Sequence, residues 1–121
     1  MQKKILICDD EPQLRQMIVN RLCAQGFHTI EAKDGKEALR KIDLEALDLI
    51  VLDIKMPKLS GLEVLKKLAD DATPVPVIVL SGEYNMKQIR QIQLLGSEYF
   101  LAKPFAIDEL IKKVKRVFNS N

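Results

Sequence analysis

The sequence predicts an α/β fold: one domain in which a parallel sheet is covered by helices on both faces. Three observations predict it. Short apolar or β-branched runs recur at residues 5–8, 27–32, 49–52, 75–80 and 99–102. Taking Ile5, Phe27, Leu49, Val77 and Tyr99 as markers, the steps are 22, 22, 28 and 22 residues, and each gap holds a stretch with helical periodicity. The runs 49–52 and 77–80 are apolar throughout, which marks strands buried on both faces.

Each element has its own signal. The first run, Ile-Leu-Ile-Cys, leads into a helix with Leu14, Met17, Ile18 and Leu22 on its stripe, Pro12 near its start and Gly26 after its end. Residues 27–32 alternate and read as an edge strand, with His28 in mid-strand, surface or half-buried and without a ligand role. Asp34-Gly35 turns into a second helix carrying Ala38, Leu39 and Ile42. After the third strand, Leu62, Leu65 and Leu68 mark the third helix. Pro74 and Pro76 belong at the start of the fourth strand, because proline donates nothing to a ladder. Ile89, Ile92 and Leu95 mark the fourth helix, near which Tyr84 and Met86 could be exposed apolar contacts but read rather as ordinary packing. Ile107, Leu110, Ile111, Val114, Val117 and Phe118 form the cleanest stripe of all, a packing face. Opposite it lie Lys112, Lys113, Lys115 and Arg116, a solvated basic face or else a docking surface for an acidic partner.

Composition narrows the function classes. The chain has 121 residues, 47% hydrophobic and 30% charged, with a net charge of +2. A single domain over 1–121 is expected, with no strong general attraction to nucleic acid or membrane. No run approaches the roughly 20 apolar residues needed to span a bilayer, and the N-terminus lacks a secretory pattern. Cys8 and Cys23 have neither metal-ligand nor disulfide spacing, so a cytoplasmic protein is expected. Neither a Walker A pattern nor G-x-G-x-x-G is present, and nucleotide binding has no support.

The chemistry lies in the polar residues at the carboxyl end of each run. Residues 5–8 precede Asp9-Asp10-Glu11, 49–52 end on Asp53, 77–80 on Ser81, and 99–102 on Lys103-Pro104. The carboxyl ends of parallel strands share one edge, where α/β proteins bind ligands. Each residue alone reads as a cap or turn residue, but four such placements on four strands read as a site. Asp9, Asp10, Asp53 and Lys103 leave a formal charge of −2. One divalent cation cancels it, and an all-oxygen set suits Mg²⁺, whereas zinc is disfavoured without a His or Cys cluster.

With these residues in place, the chain resembles the response-regulator receiver domain, the chemotaxis-type (CheY-like) phosphoacceptor module. The resemblance rests on Asp9-Asp10, on Asp53 with Met56-Pro57 and Gly61 downstream, on Ser81, and on Lys103-Pro104-Phe105. It implies a doubly wound, flavodoxin-like sheet of five parallel strands in the order 2-1-3-4-5. It also implies that Asp53 takes a phosphoryl group from the phosphohistidine of a histidine kinase or phosphotransfer protein. Asp10, Asp53 and the backbone carbonyl of Lys55 would bind Mg²⁺, with Asp9 direct or through water. Lys103 would pair with the acceptor and then the phosphoryl oxygens, Ser81 would move toward the phosphoryl group, and Phe100 would rotate with it. The Lys103–Pro104 bond is expected to be cis. Lys55 and Glu83 would gate the water that hydrolyses the acyl phosphate.

Two positions depart from the family pattern: serine at 81 where threonine is common, and phenylalanine at 100 where tyrosine is common. Serine keeps the donor, but phenylalanine removes any hydroxyl contact to a partner. Tyr99 points to the opposite face of its strand and cannot replace it. The expected function is a phosphorylation-activated switch of a two-component system, with a downstream protein target or an output domain beyond the chain. The sequence fits a complete single-domain regulator and a receiver cut from a longer protein alike. Residues 55–57 and 100–105 weakly resemble sporulation phosphorelay intermediates. The rival readings are a pseudo-receiver that only binds proteins and an Mg²⁺-dependent phosphatase. The intact acidic and lysine set argues against the first, and the absence of a second nucleophile or capping insertion against the second.

Overall fold

The computed structural model describes residues 2–82, 85–97 and 99–119. Strands and helices alternate along it: β1 (Lys4–Cys8), α1 (Pro12–Ala24), β2 (His28–Ala32), α2 (Gly35–Leu44), β3 (Leu49–Asp53), α3 (Gly61–Asp70), β4 (Val77–Ser81), α4 (Met86–Leu94), β5 (Tyr99–Ala102) and α5 (Ile107–Asn119). All strand pairs are parallel and the order is β2-β1-β3-β4-β5. β3 and β4 are buried at every position, which is why their sequences lack alternation, and edge strand β2 is buried only at Ala32.

Strand side chains point alternately to the two faces, and this divides the core. Leu6, Cys8, Ile50, Leu52, Val77 and Val79 face α2, α3 and α4, packing with Ala38, Val64, Leu65, Leu68 and Ile92. Ile5, Ile7, Leu49, Val51, Ile78, Leu80 and Leu101 face α1 and α5, packing with Ile18, Leu22, Leu110, Ile111, Val114 and Val117. Fully burying each of the Val, Leu and Ile side chains contributes about 1.5–3 kcal/mol before the entropy of ordering the chain is subtracted. Tyr99 packs on the α1–α5 side and Phe100 on the other, as strand alternation requires.

The structure moves four sequence expectations. Met86, the first residue of α4, is 70% exposed rather than packed, because it lies away from the face of α4 that Ile92 buries. Met17 is half exposed rather than core; the buried face of α1 centres on Leu14, Ile18 and Leu22, and Met17 is turned about 100° from that centre. β4 begins at Val77, not residue 75, because Val75 is flanked by two prolines that break the ladder. The Pro76 carbonyl still accepts from Ile50 N–H at 3.0 Å. His28 is exposed and is the first residue of β2 rather than its middle.

Candidate functional site

The switch point of this strand order lies between β1 and β3, where connections leave toward opposite edges of the sheet and a crevice opens at the strands' carboxyl ends. Asp9 follows β1, Asp53 ends β3, Ser81 ends β4 and Lys103 follows β5. Alternation then sorts them. Asp9, Asp53 and Lys103 continue the positions that face α1 and α5, whereas Ser81 continues those that face α3 and α4, the side on which Phe100 packs. The backbone pins the strand ends together: Ile54 N–H donates to Leu80 O at 3.0 Å, and Lys103 N–H to Ser81 O at 2.8 Å.

Lys103 is the hub. Its Nζ lies 3.0 Å from Asp53 Oδ2, 3.1 Å from Asp9 Oδ2 and 3.5 Å from Glu11 Oε2. The second oxygens of the two aspartates accept from the backbone, Asp9 Oδ1 from Glu11 N–H at 2.8 Å and Asp53 Oδ1 from Lys55 N–H at 3.2 Å. Arg15 Nη1 donates to the Asp9 carbonyl at 2.7 Å. Asp9 and Asp53 are buried and Asp10 is exposed, and each offers an oxygen within 4.8 Å of the others.

The charges in this cluster shape one another. Burial pushes the Asp9 and Asp53 carboxyls above the ordinary carboxylate range, and the hydrogen bonds from Lys103 and the backbone oppose that push. Burial pulls the other way on the Lys103 ammonium, but its bonds to Asp53 and Asp9 outweigh it and push its pKa up to about 12. Lys103 is therefore a fixed cation. The three aspartates form an all-oxygen donor set with an excess of negative charge and one exposed side, which fits Mg²⁺. Cys8, the last residue of β1, faces the α2–α4 side instead, and burial pushes its thiol up, so it supplies no thiolate.

The β3–α3 loop is held tight against the acids. A Cβ on Gly61 would stand 2.2 Å from the Asp53 carbonyl oxygen, so only glycine lets α3 begin there. Gly61 N–H donates to Ile54 O at 2.8 Å, and Ser60 and Glu63 close a capping box on α3. The same loop meets α2, where Asp34 caps Glu37 N–H and lies 3.5 Å from Lys58 Nζ.

Sequence reasoning placed Asp9, Asp10, Asp53, Ser81 and Lys103 on one rim, and the structure brings them there. The Lys103–Pro104 peptide is cis. Lys55 is exposed in the β3–α3 loop; Glu83, the other half of the expected gate, lies outside the described residues, as does Tyr84. Two neighbours were missed. Glu11 was visible as the third acid after β1. Gln88, whose Oε1 accepts from the Ser81 hydroxyl at 3.0 Å, had a weaker signal, three residues after the Asn85 cap of α4.

The model of the response regulator receiver domain family matches residues 5–115. Among curated proteins, sporulation initiation phosphotransferase F of Bacillus subtilis is 34% identical over 116 residues, 96% of this chain and 94% of that protein. The alkaline phosphatase synthesis transcriptional regulatory protein PhoP of the same organism is 36% identical over 97% of this chain but only 49% of its own length. The chain spans about half the length of the first curated relatives it matches. Among solved structures, the receiver domain of the Francisella response regulator 1452 superposes with a TM-score of 0.92 at 37% identity, covering 98% of each chain. Response regulator TrrA of Thermotoga maritima, solved in complex with Mg²⁺ and BeF, gives 0.84 at 34% identity over 96% of this chain and 99% of that one.

Proposed function

Because the chain belongs to the response regulator receiver domain family, we propose that it accepts a phosphoryl group on Asp53 from a histidine kinase or phosphotransfer protein and signals by a change of conformation. The observation that carries this reading is the Lys103 ammonium shared between the buried Asp53 and Asp9 carboxylates, with Asp10 beside them. An Asp53 carboxylate oxygen attacks phosphorus, the bond from the donor's imidazole nitrogen breaks, and the imidazole leaves. Phosphoryl transfer asks little of a protein beyond position and charge compensation. The backbone N–H of Lys55 orients Asp53, and Lys103 follows the charge from the carboxylate to the phosphoryl oxygens. Asp9, Asp10, Asp53 and the Lys55 carbonyl would hold Mg²⁺, which neutralises charge on the transferring group. Ser81 then donates to a phosphoryl oxygen, and Phe100, on the same face of the sheet, carries the change toward the α4–β5–α5 surface.

On this reading the whole chain, 1–121, is one receiver working in the cytoplasm, and its readout is a protein target or an output domain. Among the described residues no helix is long and apolar enough to cross a membrane. Acetyl phosphate with Mg²⁺ tests the chemistry: intact mass should rise by one phosphoryl group in the wild type and not in Asp53→Asn. Labelling that persists in the variant or needs no divalent metal refutes the assignment. No labelling from any small donor or phosphotransfer protein would leave the pseudo-receiver reading.

A further inference from the structure

Ser81 is the residue through which phosphorylation is proposed to be sensed, and its hydroxyl is already engaged. It donates to Gln88 Oε1 at 3.0 Å. Ser81 is buried at the end of β4, and Gln88 is half-buried in the first turn of α4. Both line a cleft of about 350 Å³ that also takes in Ile54, Lys55 and Met56 of the neighbouring loop.

The position of Gln88 is fixed by its helix. Asn85 is the N-cap of α4, and its side-chain oxygen accepts from Gln88 N–H at 2.7 Å. A glutamine at this third helical position commonly reaches back to the N-cap backbone N–H and completes a capping box. Here its amide oxygen accepts from Ser81 instead. A serine hydroxyl carries one proton. That proton cannot serve Gln88 and a phosphoryl oxygen together.

We propose that Gln88 is a latch on the switch: its amide oxygen holds the Ser81 hydroxyl in the unphosphorylated protein, and phosphorylation must break that bond before Ser81 can donate to the phosphoryl group. The inference rests on the phosphoacceptor reading above and adds to it a positioning residue that opposes activation. It also ties the hydroxyl's movement to α4, because the bond that breaks is anchored in the first turn of that helix. Removing the latch removes a cost of switching. A net hydrogen bond of ordinary strength corresponds to a change of about 2- to 10-fold in an equilibrium constant.

Binding of beryllium fluoride with Mg²⁺, a non-covalent stand-in for the phosphoryl group, tests the latch by calorimetry on the wild type, Gln88→Ala, Ser81→Ala and the double variant. Gln88→Ala should bind about 2- to 10-fold more tightly than the wild type. In the Ser81→Ala background the same substitution should leave the affinity unchanged, because no hydroxyl is left to hold. In the unliganded Gln88→Ala protein, the amide resonances of Phe100 should move toward their bound positions. Equal or weaker binding by Gln88→Ala overturns the latch; a weaker value would mean that the amide turns and supports Ser81 in the switched state. An equal gain in the Ser81→Ala background also overturns it, by assigning the effect to α4 itself. Failure of the wild type to bind beryllium fluoride overturns the phosphoacceptor reading and the latch with it.

Discussion

Replacing Lys103 by Met keeps the aliphatic stem and removes the ammonium, leaving two carboxylates without the donor they share at 3.0 and 3.1 Å. Their side chains are only 0% and 5% exposed, so water cannot fully replace the lost partner. Breaking a buried pair in this way costs about 3–5 kcal/mol. Lys103 itself is 17% exposed at the rim, so the low end applies, about 3 kcal/mol in metal-free buffer at neutral pH. For a domain of this size each kcal/mol moves Tm by about 4 °C, and Tm should fall by about 12 °C. Two conditions shrink the deficit. Mg²⁺ restores positive charge to the three acids and should raise Tm more in the variant than in the wild type. Acid does the same, because burial already holds the Asp9 and Asp53 pKa values above their unfolded values, and the neutral acids need no ammonium. Thermal unfolding in EDTA, in excess Mg²⁺ and across pH 4–8 reads all three. A metal-free drop below about 3 °C, or an equal Mg²⁺ effect in both proteins, would refute the central role given to Lys103.

Other perturbations probe the scaffold and the switch. Asp34→Ala removes the α2 cap and should cost about 1 kcal/mol by urea unfolding. The Glu37 N–H bond, with Lys58 nearby, holds the Asp34 pKa below its unfolded value near 3.9. The ionic part of its contribution is thus present above about pH 4 and lost as pH falls through the folded pKa, so a wild-type advantage that grows in acid would contradict the assignment. Gly35→Ala should destabilise by about 1–3 kcal/mol despite alanine's helix preference, because the added Cβ would stand 2.0 Å from the Leu59 carbonyl oxygen; an unchanged urea midpoint would show that the loop yields freely. Ser81→Ala should still be phosphorylated on Asp53 but lose the phosphate-dependent NMR shifts around Phe100, and retained shifts would break the proposed coupling. Changing Lys55 and Glu83 together to alanine should alter the dephosphorylation rate severalfold and leave Mg²⁺ affinity nearly unchanged, since Lys55 would contribute only its backbone carbonyl to the metal. An unaltered phosphoryl half-life would dispose of the gate.

Much of this was legible in the chain because the relevant physics is local. Apolar runs locate the strands, and a parallel sheet places the residues just beyond each run on one edge, so Asp9, Asp53, Ser81 and Lys103 could be grouped although up to 94 positions separate them. The neighbour order was not local. Nothing within the runs says that β1 lies between β2 and β3, and that order came from the family resemblance. Met17 was misjudged because helical spacing alone does not locate the centre of a stripe. The Ser81–Gln88 bond escaped because a hydroxyl's partner depends on the course of the loop between β4 and α4, and its residues carry no periodicity. Glu11 sat in plain view, but its approach to Lys103 depends on how α1 leaves the sheet.

The division of strand positions between the two faces also sets where this chain can change length. A residue gained or lost at 71–74 leaves the alternation of β4 intact, because it lies ahead of Val75, which packs on the core, and of Pro76, whose carbonyl accepts from Ile50 N–H. Removing Ile78 from β4 moves the later positions of the strand to the other face: Leu80 would take the place of Val79, and Gly82 that of Ser81. One deletion would thus put the wrong side chains into both cores and remove the hydroxyl from the rim, while the overall composition hardly altered. On this geometry β4 should tolerate substitution far better than any change in its length.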